Sequence, residues 1–141
     1  MTPDNVALFA TIILLLPMFY FLLAAPAFLL VRLDVPTVAE LLRGMFNGYF
    51  LALAVAGAVG TIAVAMAGRV VLAIGIGLIA VLAVSSRRWF LRQMDARLHD
   101  RDAGNADAVR GLRRLHWGGM LSNALQLVVV VGCIPYIAVA P

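Results

Sequence analysis

Long uncharged stretches rich in hydrophobic residues alternate with short charged segments along the chain. None of these stretches alternates apolar and polar residues as a β-strand of a membrane barrel does. A helix needs about 20 apolar residues to cross the roughly 30 Å hydrocarbon core of a bilayer. The pattern therefore predicts four transmembrane helices, one in each of these uncharged runs: Val6 to Val31, Gly44 to Gly68, Val70 to Ser86 and His116 to Pro141.

The predicted fold is an all-α, integral membrane four-helix bundle that forms one domain over residues 1–141. Beyond the third run, Arg87 to His99 keeps an apolar face, and Gly104-Asn105 reads as a turn. We therefore expect a cytoplasmic helical hairpin between helices 3 and 4. The four helices are expected at about 6–31, 46–68, 70–99 and 107–139.

The prolines and a possible helix cap predict local features of the first helix and the first connection. Pro17 and Pro26 each remove a backbone donor, so we expect helix 1 to bend. Val35 precedes a proline and should be extended, and Thr37 could cap a short helix with Glu40 three residues later.

Helices 2 and 3 are expected to form a tight hairpin that turns at Gly68-Arg69. Both helices carry small residues at four-residue spacing, which let helix backbones approach closely in lipid. Packing inside the bundle and homodimerisation both explain this pattern, and both stay open. The repeated positions are Ala52, Ala56 and Gly60, and Gly57, Thr61 and Ala65.

Composition supports the membrane assignment and excludes a soluble enzyme or a nucleic-acid-binding module. The chain is 64% hydrophobic and 13% charged, whereas soluble domains are nearer half apolar and a quarter charged. All 11 basic residues are arginine, and ten of them fall in or beside the connections at 32–43 and 87–115. The positive-inside rule then places both connections in the cytoplasm and both termini outside, in a bacterial-type inner membrane. The net charge of +4 is therefore a topology signal, and no nucleic-acid partner is expected.

Helix 4 carries the most informative polar stripe. At 100° per residue, His116, Gly119, Asn123 and Gln126 lie within about 80° of one another, with Arg113 one turn before His116. Amides facing lipid are costly, so this stripe must face protein or a cavity. It predicts either hydrogen bonds that hold the bundle together or one wall of a polar pocket.

The topology gathers further candidates at the cytoplasmic end of the bundle. Tyr49 and Asn47 come from helix 2, and Arg88 and Arg92 could hold an anion such as a lipid head group, with Asp95 as counter-ion. Simple anchoring of these arginines to phospholipid is the alternative.

A metal or haem site is a further hypothesis. His116 and Met120 are one helical turn apart and supply ligand types suited to copper or haem iron. Cys133 is alone, so it forms neither an intrachain disulfide nor a cysteine-built metal site.

Three segments resemble a known group of membrane proteins. They are Phe21 to Phe28 with Pro26, Met45-Phe46-Asn47-Gly48-Tyr49-Phe50, and Arg113-Arg114-Leu115-His116 followed by Asn123. Together they resemble the transmembrane-protein-205-like family of small four-helix membrane proteins and, more remotely, the anthrone-oxygenase-like membrane domains. The first resemblance implies a four-helix membrane domain, and the second implies oxidation of a lipophilic substrate. Gly119 departs from the family pattern, in which a small hydroxyl residue is usual.

These observations favour a non-enzymatic accessory protein, or a bundle that binds lipid or a small ligand in a polar pocket at its cytoplasmic end. Membrane lipid is the expected partner, alongside a homodimer or a larger membrane complex. The alternatives are a membrane enzyme or metal- or haem-binding protein acting on a lipophilic substrate, and a dimeric small transporter.

Overall fold

Four long helices pack side by side in the computed structural model, which describes residues 2–138 and the side chains of residues 2–135. Each helix packs against the next one along the chain, and the first also packs against the fourth, so the four form a closed ring. The helices are α1 (Pro3–Ala24, continued by a 3-10 segment at Ala25–Leu29), α2 (Pro36–Met66), α3 (Val70–Asp102) and α4 (Asp107–Ala138). The predicted all-α four-helix bundle is confirmed, and the predicted helix end at residue 139 lies outside the described residues.

The start of α2 differs from the prediction by ten residues. Pro36 occupies the first turn, where backbone N–H groups have no partner within the helix, so its missing N–H costs no hydrogen bond. Val35 before it is extended as expected, with φ −74° and ψ 121°. No side chain caps this end, so the expected cap at Thr37 and the separate short helix are both wrong. The helix includes Arg43, whose guanidinium group pairs with Asp95 of α3.

Pro26 and Pro17 have different effects on the first helix. Pro26 lies at the start of the 3-10 segment, so the α-helical hydrogen-bonding pattern ends where this proline removes a donor. Pro17 lies within α1, which continues to Ala24 as an α-helix.

Both predicted turns are present, and glycine makes each of them. Gly68 has φ 81° and Gly104 has φ 86°, values that only glycine adopts readily. At the first turn the Arg69 N–H donates to the Val64 carbonyl at 3.1 Å, which closes the end of α2. At the second, Asn105 Oδ1 accepts from the Asp107 N–H at 2.9 Å and starts α4.

Small residues from both predicted faces of α2 pack inside the chain. A Cβ at Gly57 would lie 2.8 Å from the Ala80 Cβ, and one at Gly77 would lie 3.4 Å from the Thr61 side chain. The backbones of α2 and α3 therefore approach too closely for larger residues. Gly60, from the other predicted face, is buried as well, beside Ile76 and Ala10, whereas Ala52 and Ala65 at the ends of the two repeats are exposed.

The bundle surface is apolar over most of its length. All four helices are long and apolar enough to cross a membrane, judged by length and composition. Large side chains such as Leu23, Val71 and Leu121 are more than 70% exposed, while Thr11, His116 and Asn123 are buried. The interior is also mainly hydrophobic, so the unusual feature is the large number of exposed apolar side chains, which a water-soluble bundle does not carry.

Ion pairs link neighbouring elements at each end of the bundle. Arg43 of α2 donates to both Asp95 carboxylate oxygens of α3, at 2.5 and 2.9 Å. At the opposite end, Arg69 in the α2–α3 turn pairs with Asp4 of α1. Bidentate pairs of the first kind fix the relative register of two helices.

Candidate functional site

Asn123 connects three helices in the bundle interior. Its side chain is 1% exposed, on the inward face of α4. Its Oδ1 accepts from the Tyr49 hydroxyl of α2 at 2.8 Å, and its Nδ2 donates to the Met18 carbonyl of α1 at 3.1 Å. The sequence predicted that this amide faces protein or a cavity, and its partners are protein groups.

Tyr49 is held in turn by aromatic packing. Its ring lies 4.3 Å, centroid to centroid, from Phe21 and 5.0 Å from Phe50. The hydroxyl is thereby aimed at Asn123 and sits in an apolar surrounding. This arrangement suits a structural hydrogen bond, since hydroxyl and amide satisfy each other.

His116 lies about two turns before Asn123 along α4 and is fully buried. The edges of Phe28 and Phe46 pack against it, with centroid distances of 6.2 and 6.0 Å. The Ala25 backbone faces the imidazole, but neither ring nitrogen meets a partner at hydrogen-bonding distance and angle. A buried imidazole without a partner is uncommon in native proteins.

Aromatic side chains surround His116, the predicted metal or haem ligand. Phe46 belongs to the buried core, and Phe28 is partly buried and packs against that core. Met120 is the one other predicted ligand of this site, and among the described residues no group of three or more His, Cys, Asp and Glu side chains could hold a metal ion.

Arg113 extends from α4 to the end of the first helix. Its Nη1 donates to the Leu29 carbonyl at 3.0 Å and its Nη2 to the Val31 carbonyl at 3.3 Å. Carbonyls at a helix end have no partner within the helix, and a cation is favourable there. Arg113 therefore ties α4 to the 3-10 segment.

The other predicted site residues lie apart from one another. Asn47 Oδ1 accepts from the Arg87 side chain at 2.9 Å, and Gln126 donates to Ser122 on its own helix at 3.2 Å. Arg88 and Arg92 are exposed on α3, and Asp95 pairs with Arg43 rather than with either of them. The structure thus brings together Tyr49 and Asn123, leaves Gln126 only partly buried farther along α4, and keeps Asn47, Arg88 and Arg92 apart from that pair.

A groove between α3 and α4 gathers residues that the sequence analysis did not combine. It encloses about 630 Å³ where the two helices extend towards the Gly104 turn. We call this surface the α3–α4 groove. Its lining comprises Trp89, Phe90, Gln93, Arg97, Asp107, Arg110, Gly111, Arg114, Leu115 and Gly118.

The charges of this groove are unbalanced. Arg110 pairs with Asp107, and the Arg97 side chain crosses the face of Gly111, where a Cβ would lie 2.8 Å from Nε. Within residues 2–135, no acidic side chain pairs with Arg97 or Arg114. Two guanidinium groups are therefore available to an anion.

One signal for this groove is present in the sequence. Asp107, Gly111, Arg114 and Gly118 recur at three- and four-residue spacing, which places them along one face of α4. Arg97 joins this face only through the register of α3 against α4, which the turn at Gly104 sets.

A second groove lies between α1 and α4 and encloses about 460 Å³. Its exposed lining is almost entirely apolar. We call it the α1–α4 groove, and its lining comprises Phe21, Leu22, Trp117, Gly118, Met120, Leu121, Asn123 and Ala124. Gly118 lines both grooves.

Comparison with known proteins gives no relative from which a role could be transferred. No protein-family model matches the chain, and no curated protein or solved structure matches it significantly.

Proposed function

We propose that the chain is a non-enzymatic integral protein of the bacterial inner membrane that binds an anionic lipid in the α3–α4 groove. The observation that carries the proposal is the pair of arginines without acidic partners, Arg97 and Arg114, in a groove that also contains Trp89. The resemblance to the transmembrane-protein-205-like family is compatible with it, and assembly into a homodimer or larger membrane complex is part of the same proposal.

The apolar surface supports the location in a bilayer. Exposed leucine, valine, isoleucine and phenylalanine side chains cover the middle of the helices, and arginines collect at one end. By the positive-inside rule that end faces the cytoplasm.

The chemistry of the groove suits a lipid phosphate. A guanidinium group is planar and donates two parallel hydrogen bonds to phosphate oxygens. Trp89 is 53% exposed, and tryptophan favours the boundary between head groups and hydrocarbon. The groove therefore places cationic donors beside an interfacial aromatic residue, where a phospholipid head group lies.

We predict that the double variant Arg97→Gln/Arg114→Gln retains about tenfold less anionic phospholipid than the wild type. Each lost charge-assisted hydrogen bond weakens binding by about 1.5–3 kcal/mol before solvent and remaining groups compensate. Native mass spectrometry of protein released from phosphatidylglycerol nanodiscs measures the retained lipid.

Arg92→Gln is the matched control, because Arg92 is exposed on the same helix and lies outside the groove lining. Retention should stay at the wild-type level in this variant. If lipid is lost on replacing Arg92 and kept in the double variant, the anion site is the one at Arg88 and Arg92, and the groove proposal fails.

The proposed topology makes a separate prediction. In a Cys133→Ser background, Asn105→Cys should react with a membrane-impermeant maleimide only after the inner membrane is permeabilised, whereas Thr2→Cys should react in intact spheroplasts. Asn105 lies in the exposed α3–α4 turn and Thr2 at the opposite end, so both are accessible to reagent on their own side. Labelling in the reverse order would place the arginine-rich end outside.

His116 favours a second candidate function, a membrane enzyme or ligand-binding protein acting on a lipophilic substrate. The observation is that both imidazole nitrogens are buried without a hydrogen-bond partner. Absorption spectroscopy and elemental analysis of protein purified from membranes test the cofactor version, which requires a Soret band or stoichiometric copper.

A further inference from the structure

We infer that the bound lipid is an anionic phospholipid that lies across α4 at Gly118, with its head group in the α3–α4 groove and one acyl chain in the α1–α4 groove. This inference rests on the proposed function and specifies its ligand. It follows from three features of α4: the shared glycine, the order of charged and apolar residues along the helix, and the charge of the first groove.

Gly118 provides the crossing point. It lines both grooves, it is exposed, and no atom lies within 4 Å of the position that a Cβ would take. Trp117 and Leu121, beside it on the outer face, are 55% and 72% exposed. The glycine therefore leaves a gap between protruding side chains, through which an acyl chain can pass from one groove to the other.

The residues along α4 follow the order of groups in a phospholipid. With a rise of about 1.5 Å per residue, Arg114 lies roughly 6 Å and Arg110 roughly 12 Å from Gly118 towards the polar end. In the other direction the α1–α4 groove continues past Met120 and Leu121 to Ala124 and offers almost no polar surface. A ligand that fills both grooves thus needs an anionic end and a flexible apolar chain.

The charge of the α3–α4 groove favours a phosphodiester. Its lining holds three arginines and one aspartate, and the Arg110–Asp107 pair is neutral as a unit. The remaining positive groups, Arg97 and Arg114, match a head group that carries one or two negative charges. A zwitterionic lipid adds a quaternary ammonium group, for which the groove has only the paired Asp107.

The position of the α1–α4 groove favours a lipid over a peptide as its ligand. The α1–α4 groove lies among the exposed apolar side chains of the predicted membrane spans, Trp117 and Leu121 among them. Lipid acyl chains occupy such surfaces in a bilayer, and a peptide backbone there would need internal hydrogen bonds for every polar group.

The test compares Gly118→Leu with Gly132→Leu by native mass spectrometry from nanodiscs that contain equal amounts of phosphatidylglycerol and phosphatidylcholine. Gly132 is the matched control, because it is exposed on the same helix and also has no atom within 4 Å of its Cβ position. We expect Gly118→Leu to bind two-chain phosphatidylglycerol about tenfold more weakly, the effect of losing contact with about two methylene groups, and Gly132→Leu to match the wild type.

A head group without acyl chains and a smaller substitution separate the outcomes. Glycerophosphoglycerol has the same head group but no acyl chain to enter the α1–α4 groove, so Gly118→Leu should reduce its binding by less than twofold. Gly118→Ala, which barely fills the gap, should retain the two-chain lipid and shows that the helix tolerates a side chain at this position. If Gly118→Leu binds the two-chain lipid normally while Arg97→Gln/Arg114→Gln does not, the crossing is refuted and the head-group site stands. If neither set of variants loses lipid, the proposed function itself fails.

Discussion

Replacing Gly119 by alanine is expected to destabilise the bundle by about 1–3 kcal/mol, whereas the same change at the neighbouring Gly118 should leave stability unchanged or raise it by up to about 1 kcal/mol. A Cβ at position 119 would overlap the ring of Phe46, while a Cβ at position 118 meets nothing within 4 Å. Two adjacent glycines in one helix are thus predicted to respond in opposite directions.

The overlap is costly because Phe46 has nowhere to move. Its ring stacks on Phe90 at 5.3 Å and 14°, and Phe21 packs against its edge at 5.1 Å. His116 closes a further side at 6.0 Å. A methyl group at Gly119 must therefore shift either the aromatic cluster or the α2–α4 separation.

Equilibrium unfolding in mixed micelles with increasing sodium dodecyl sulfate measures this difference, with helix content from circular dichroism as the signal. Tryptophan emission is less suitable, because Trp117 lies directly beside the substituted positions. Equal stability of the two alanine variants would contradict the packing described for Gly119.

Gly119 also illustrates what the sequence alone leaves out. The resemblance noted in the sequence led us to expect a small hydroxyl residue, and with it a hydrogen-bonded site, at this position. In this chain the ring of Phe46 occupies the space that a serine side chain would need. The glycine is explained by packing with a residue 73 positions earlier in the sequence, which no local pattern reveals.

Helix number and turn positions were predictable because their causes are local. Length and hydropathy define the four helices, and Gly68 and Gly104 mark their turns. The start of α2 could not be predicted in this way, because the predicted helix began only after the charged residue Arg43. In the structure that charge is satisfied by Asp95 on the neighbouring helix, so α2 continues to Pro36.

In the candidate site too, helical periodicity was predictable from the sequence and contacts between helices were not. The inward polar stripe of α4 follows from helical periodicity, and Asn123 and His116 are indeed buried. Gln126 was predicted to face the interior too, but it is only partly buried and bonds to Ser122 on its own helix. Their partners come from other helices and depend on register, so the sequence could name Tyr49 as a candidate but not as the donor to Asn123. The α3–α4 groove depends on register still more, since Arg97 reaches α4 only because the turn at Gly104 aligns it with Gly111.

The second large effect on stability is expected when one partner of the hydrogen bond between Tyr49 and Asn123 is replaced by an apolar residue. Asn123→Leu removes the acceptor and leaves the Tyr49 hydroxyl buried without a partner, and Tyr49→Phe leaves Asn123 Oδ1 in the same state. An unsatisfied buried polar group costs about 1–3 kcal/mol. Interhelical hydrogen bonds in membrane proteins fall towards the low end of such ranges, so we expect a loss of about 1–2 kcal/mol for Asn123→Leu and about 1 kcal/mol for Tyr49→Phe.

The double variant Tyr49→Phe/Asn123→Leu should lose less stability than the sum of the two single variants, with a coupling of about 0.5–2 kcal/mol. When both partners are replaced, the Met18 carbonyl is the one group that loses a hydrogen bond from Asn123. Because this carbonyl lies within α1, it can still accept a backbone hydrogen bond of the helix. Gln126→Leu is the control on the same helix, because Gln126 bonds only to Ser122 and should change stability by less than about 0.5 kcal/mol. Unfolding in mixed micelles supplies all four free energies. Strict additivity of the two single variants would mean that the Tyr49–Asn123 contact contributes nothing, and that α2 and α4 are held together by apolar packing alone.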